Sequence, residues 1–223
     1  MSKVNASMDT QPAVGLLWSR DGKGFTPFGD PLDARQACPR QRNLAYLRHM
    51  MRFNNIFLVG PMGAGKTTVG RYLAAALSLE FRDSDQEIQR RTGVDIPTIF
   101  EYEGEEGFRQ RERRVIGELS EQSGLVMATG GGAVLRSDNR RALTSRGVVI
   151  YLHCSPEQQH ARTSHDRNRP LLDTRDPLTR LRQLIAERGP LYRQVADMVV
   201  STERRGTPSV VNEIRRRLAG EAP

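Results

Sequence analysis

Only two cysteines, Cys38 and Cys154, occur among 223 residues, which leaves no disulfide framework and no cysteine-built zinc site to staple the fold. A reducing cytoplasm is therefore the expected compartment. No run of about 18 apolar residues is present, and the N-terminus lacks the charged-then-apolar pattern of a secretory leader, so neither a helical membrane span nor export is expected. Aromatics are scarce at 6%, with Trp18 the single tryptophan, and they do not interleave with the basic residues as a nucleic-acid stacking surface would need. No internal repeat occurs. No Asn-Lys-x-Asp base-reading motif occurs either, which argues against a GTPase switch.

What the chain does have is positive charge and enough length for a real core. A formal charge of +8 and a pI near 10.2 permit nucleic-acid binding but are equally expected of a protein that handles anionic substrates. Arginines dominate and lie along helical segments, the pattern of a solvated basic face. Residues 1 to 51 hold Gly, Pro, Ser and Asn at irregular intervals with no sustained period, and they are expected to be a disordered extension. A helical turn at Leu44–Met51, a true start at Met50 or Met51, and a transit peptide remain open for that stretch, the last weakened by its four aspartates.

From 52 to 223 the chain reads as one domain in which short β-favouring runs alternate with helical patterns, which predicts a parallel sheet covered by helices on both faces. Strands are expected at Ile56–Gly60, Glu80–Arg82, Leu125–Ala128, Val148–Leu152 and Met198–Val200. Helices are expected at Thr67–Leu77, from Asp85 to Arg91, Ile96–Tyr102, Glu105–Glu121, Asp138–Arg146, Pro156–Thr163, Leu178–Arg188 and Pro208–Leu218. The polar, aperiodic stretch Ser164–Asp176 carries Arg167, Arg169 and Arg175 and is expected to form a mobile lid.

The segment Gly60-Pro61-Met62-Gly63-Ala64-Gly65-Lys66-Thr67-Thr68 fits G-x-x-x-x-G-K-S/T and follows the apolar run Ile56–Val59. Its glycines let the backbone approach a phosphate chain, and its amides can form an anion nest at a helix N-terminus. Lys66 can reach β- and γ-phosphates, and the Thr67 hydroxyl can ligate Mg²⁺. A plain glycine-rich turn is the bland alternative. Ligands of such sheets bind beyond the strand C-termini, where Asp83-Ser84-Asp85 and Thr129-Gly130-Gly131-Gly132 both stand. One carboxylate there can support Mg²⁺ while the other orients a hydroxyl for attack on the γ-phosphate, although Asp-Ser-Asp can equally be a helix cap. Arg109 and Arg188 stand beside glycines, with room to project a planar fork at a carboxylate or phosphate.

In this order, these motifs resemble the shikimate kinase family over about residues 53 to 218, together with Gly104-Glu105-Glu106-Gly107-Phe108-Arg109, Arg169-Pro170-Leu171-Leu172 and Arg188-Gly189-Pro190-Leu191-Tyr192. The resemblance implies a three-layer α/β P-loop kinase fold with a five-stranded parallel sheet and a mobile lid. It also implies transfer of the γ-phosphoryl of ATP to the 3-hydroxyl of shikimate, in aromatic amino-acid biosynthesis. By motif match Asp85 would hold ring hydroxyls and orient the attacking proton, while Arg109, Gly131 and Arg188 would bind shikimate. Gly63, Ala64, Gly65, Lys66, Thr67 and Thr68 would cradle ATP, with Lys66 and the lid residue Arg169 catalytic at the phosphates. Thr67 would ligate Mg²⁺ with Asp83 in support, and Arg162 and Arg205 would lie near the adenine. A monomer acting on a small molecule, with no nucleic-acid or membrane partner, is expected.

Two rivals stay in view. A kinase of the same fold acting on another polyol acid such as gluconate would keep the phosphate loop and lid but not the arginine pair with the triple glycine. A ligand-sensing regulator would need an N-terminal DNA-binding module, yet residues 1 to 51 lack two amphipathic helices joined by a tight turn.

Overall fold

The computed structural model describes residues 16–18, 25–27, 55–164, 174 and 176–220. The chain divides into two compact units, Met1–Leu44 and Ala45–Pro223. In the first, β1 (Leu16–Trp18) pairs antiparallel with β2 (Phe25–Pro27). These β-favouring triplets are short islands in a stretch whose composition otherwise reads as disordered. The Leu44–Met51 turn lies outside the described residues, as does nearly all of the expected lid, including Arg169.

The second unit contains a sheet of five parallel strands: β3 (Ile56–Val59), β4 (Glu80–Asp83), β5 (Leu125–Ala128), β6 (Val148–His153) and β7 (Met198–Ser201). Their spatial order is β4-β5-β3-β6-β7. The central strand β3 is buried along its whole length, which explains its unbroken apolar sequence: both faces of a parallel sheet are covered.

Alternate residues of each strand feed two separate cores. Phe57, Val59, Met127, Val149 and Tyr151 face one side, with Ile116 and Leu143 from the helices there. Ile56, Leu58, Val126, Ile150 and Val200 face the other, with Leu73 and Ile214. Fully burying one such side chain contributes about 1.5–3 kcal/mol, so Leu58→Ala, at a completely buried position, would cost about 2–5 kcal/mol.

The covering helices are α1 (Lys66–Leu77), α2 (Ser84–Thr92), α3 (Ile96–Ser120), α4 (Ser137–Arg146), α5 (Pro156–Thr163), α6 (Pro177–Val195) and α7 (Thr207–Leu218). The expected break in α3 falls at Gly104, whose φ of 68° and ψ of −178° are not helical. One boundary differs from expectation. Helix α6 does not stop at Arg188 but runs through Gly189 and Pro190 to Val195. Proline removes one helical N–H bond and crowds the carbonyl four residues back, yet Tyr192 and Val195 beyond it are buried in the core, and that packing outweighs the local penalty. Arg188 is therefore a mid-helix residue, one turn ahead of Tyr192.

Candidate active site

At the C-terminal ends of β3, β4 and β5 the chain turns into α1, α2 and the triple-glycine loop, and these surround a cleft of about 490 Å³. Its donor wall is the phosphate loop. Gly65 sits at the N-cap of α1 with φ 83° and offers no side-chain cap, and Gly65, Lys66, Thr67 and Thr68 at the start of this 12-residue helix line the cleft. A side chain at Gly63, with φ 74°, would also meet the backbone of Gln159 at 3.1 Å, which keeps the loop to glycine there. Lys66 Nζ donates to the Gly60 and Pro61 carbonyls at 2.8 Å each, holding the ammonium across the loop.

Asp83 takes the helix-cap reading of its motif and also reaches the phosphate loop. Its Oδ1 accepts from the Asp85 and Gln86 amides at 3.0 and 3.3 Å and so caps α2, while its Oδ2 accepts from the Thr67 hydroxyl at 2.7 Å. The first bonds start the helix that carries Asp85. The last sets a hydroxyl and a carboxylate side by side at the phosphate loop. Arg162 ties the loop to the segment after β7: its Nη1 donates to the Gly63 carbonyl at 3.0 Å and its Nη2 to the Thr202 carbonyl at 2.9 Å.

The rest of the lining comes from Asp85, Thr129, Gly130 and Gly131, together with Gln86, Gln89, Ile96 and Pro97. Those last four were missed by sequence reasoning. The glutamines follow Asp85 on one helix and so could have been suggested by helical spacing, but nothing local marks Ile96 and Pro97.

Two of the three loop glycines are forced by the protein's own side chains. A Cβ at Gly130 would stand 2.5 Å from Glu112 Oε1 and 2.8 Å from Asp85 Oδ1, and one at Gly132 would stand 2.2 Å from Arg109 Nη2. Gly131 has ordinary clearance, with Met62 N at 3.5 Å, and its carbonyl accepts a short hydrogen bond from the buried Tyr192 hydroxyl. The Gly130 amide donates to Ser84 Oγ at 3.1 Å. Backbone of the loop is thereby pinned to α2 and α6.

Arg109 and Arg188 do not line the cleft surface. They are buried, 6% and 5% exposed, and Arg109 lies directly against Gly132. Arg109 Nη1 donates to Glu112 Oε2 at 2.7 Å and its Nε and Nη2 to Glu105 Oε1 at 3.2 and 3.0 Å. Burial works against the charge of Arg109, but Glu112 and Glu105 outweigh it and raise its pKa further. Burial pushes the Glu112 carboxyl above its ordinary range, opposed by Arg109 and more weakly by Arg188. Burial likewise raises the Tyr192 hydroxyl, which stays a neutral donor. The Nε of Arg188 has no hydrogen-bond partner among the described residues. A buried guanidinium left in that condition is a place for an anion.

Arg205 is not brought to this cleft. Its guanidinium is spent on α7, where Nη2 donates to Ser209 O at 3.1 Å and Nη1 pairs with Glu213, and it lines a separate surface groove with Ser209 and Asn212. Arg205 precedes α7, and pairing with the helix that follows it holds the side chain expected near the base. Arg169 lies outside the described residues.

The family profile described as shikimate kinase matches residues 62–219. A shikimate kinase of Nitrosococcus oceani is 58% identical over 169 residues, 76% of this chain and 88% of that relative. One of Pseudomonas savastanoi pv. phaseolicola is 59% identical over 169 residues, 76% of this chain and 98% of its own length. Among solved structures, the shikimate kinase of Acinetobacter baumannii in complex with shikimate superposes with a TM-score of 0.74 at 48% identity, over 78% of this chain and 97% of that one. Phosphate loop, capped aspartate and arginine-backed glycine loop thus sit on a fold and a sequence of one kind: the chain belongs to the shikimate kinase family.

Proposed function

We propose that the chain transfers the γ-phosphoryl group of ATP to the 3-hydroxyl of shikimate, giving shikimate 3-phosphate and ADP, a step of aromatic amino-acid biosynthesis. The observation that carries this reading is a cleft lined together by the phosphate loop, Asp85, Gly130 and Gly131, with the buried Arg109 against Gly132. Relatives 58–59% identical bear the name of that kinase.

Phosphoryl transfer needs positioning and charge neutralisation rather than covalent chemistry. The amides of residues 63 to 68 bind the donor phosphates, and Lys66 exchanges its two loop carbonyls for phosphate oxygens. Asp85 holds the ring hydroxyls and takes or orients the proton of the attacking one. Arg109 and Arg188 grip the acceptor carboxylate, and the Gly131 amide supports it. Arg162 borders the base, and Arg169 completes the phosphate shell on closure, which keeps water from spending ATP by hydrolysis.

The Thr67 hydroxyl and Asp83 carboxylate fit Mg²⁺: both are hard oxygen donors, 2.7 Å apart, and this ion takes few protein ligands, leaving its other positions to phosphate and water. Among the described residues no group of three or more His, Cys, Asp or Glu forms a metal cage, as such an ion does not require one. When bound, Mg²⁺ offsets charge on the β- and γ-phosphates.

A small-molecule substrate, a monomeric state and a cytoplasmic location complete the proposal. No helix among the described residues is long and apolar enough to cross a membrane. A coupled assay offering shikimate, quinate and gluconate with Mg-ATP tests the whole: turnover on shikimate is expected, and none on shikimate with turnover on gluconate would overturn it.

A further inference from the structure

The guanidinium of Arg109 is held by two carboxylates of the chain itself, with all three of its nitrogens bonded. Glu112 takes Nη1, Glu105 takes Nε and Nη2, and the Gly132 backbone lies against the plane, since a Cβ there would come within 2.3 Å of Cζ. An acceptor carboxylate gripping Arg109 in a fork along its Nε/Nη2 edge must displace Glu105 from it. The two carboxylates that hold Arg109 are not equivalent. The Glu112 side chain is completely buried, whereas that of Glu105 is 48% exposed.

Removing a buried partner strands a charge, while an exposed ion pair contributes little and is readily exchanged. Glu105 also follows Gly104 directly, the residue at which α3 breaks, and a Cβ placed on Gly104 would meet nothing within 4 Å. The backbone beside Glu105 therefore has room to let its side chain swing out. Glu112 has no such freedom, pressed as it is against Gly130.

We propose that Glu105 is an intramolecular competitor of the acceptor: its carboxylate occupies the Nε/Nη2 edge of Arg109 until the acceptor carboxylate displaces it, so Glu105 sets acceptor affinity. This rests on the reading that Arg109 grips the acceptor carboxylate. Displacing a half-exposed ion pair weakens acceptor binding by about two- to five-fold relative to a chain without the competing charge. It also tunes the site toward ligands that can replace a carboxylate with a carboxylate.

Calorimetric titration of shikimate, and of its uncharged methyl ester, into the intact protein without nucleotide tests this. Glu105→Gln and Glu105→Ala are each expected to bind shikimate about two- to five-fold more tightly, with ester binding unmoved and the melting temperature close to wild type. In an Arg109→Lys background, which removes the fork, the gain is expected to vanish. Equal or weaker shikimate binding in both Glu105 variants, or equal tightening for shikimate and ester, would overturn the proposal and make Glu105 a fixed support of Arg109. If Arg109→Lys alone binds shikimate like wild type, the underlying assignment of Arg109 fails instead, and the two failures are told apart.

Discussion

Lys66, Thr67 and the amides around them lie within nine consecutive residues, whereas Asp85, Arg109, Gly131 and Arg188 arrive from α2, α3, the loop after β5, and α6. The proposed donor half of the cleft is thus made by local chain geometry, one strand-turn-helix with three glycines at positive φ. The acceptor half exists only where four distant segments meet, and it is held by pairs such as Ser84 with Gly130 and Tyr192 with Gly131. A local site tolerates change elsewhere in the molecule. An assembled one inherits every error in the packing that brings its parts together.

Variants can break that contrast. The largest effects are expected at the chemistry. Lys66→Met should lower kcat/KM by about 10²–10³-fold by removing a charge at the developing phosphoryl charge, and it should weaken nucleotide binding as well. Asp85→Asn should lower kcat by about 10²–10⁴-fold with near-normal ATP binding by fluorescence titration. Wild-type turnover in that variant would remove Asp85 from catalysis.

Next in size, Arg188→Ala should raise the shikimate KM about 10- to 100-fold while the ATP KM moves little; equal shifts in both constants would show that the two halves are not separable. Gly132→Ala should raise the shikimate KM by a smaller factor, about 3- to 10-fold, because its Cβ would displace the Arg109 guanidinium 2.2–2.4 Å away. Gly117→Ala, where a Cβ meets nothing within 4 Å, is its control.

The smallest effect concerns the frame of the acceptor half. The Glu87 carboxyl, on the helix that carries Asp85, is drawn down from 4.5 to about 2, chiefly by its hydrogen bond with Arg90, against the opposing effect of burial. A carboxyl lowered on folding stabilises the folded chain above its unfolded value, and that contribution fades as pH falls from 4.5 toward 2. Since the Arg90 partner is 69% exposed, the contribution is about 1 kcal/mol rather than the full shift. Denaturant melts should therefore show Glu87→Gln less stable than wild type near pH 7 and indistinguishable near pH 2.

Much of this was legible in the chain. Apolar runs of strand length, helix caps and the phosphate loop are short-range patterns, and each strand of the five-stranded sheet appeared within a residue or so of its expected place, whereas β1 and β2 were not expected. The stopping point of α6 was misread because Gly189-Pro190 is a local breaker while Tyr192 and Val195 are buried by partners far away in sequence. The ion pair of Arg205 with Glu213 was not legible either, because it joins a loop residue to a helix eight residues on. Glu112 and Tyr192 carried no mark of their own, since a glutamate three residues after an arginine and a tyrosine in a helix are commonplace until the glycine loop is seen against them.

By itself the sequence determined the alternation of strands and helices and the strand-loop-helix of the phosphate-loop motif, because these depend on backbone preference and spacing within a few residues. Only the tertiary structure decided that Arg109 is buried between two carboxylates, that Gly130 and Gly132 are glycines because charged groups leave no room for a Cβ, and that Gly131 is held by Tyr192. Those are contacts across tens of residues, set by how the helices close over the sheet, and no local pattern encodes them.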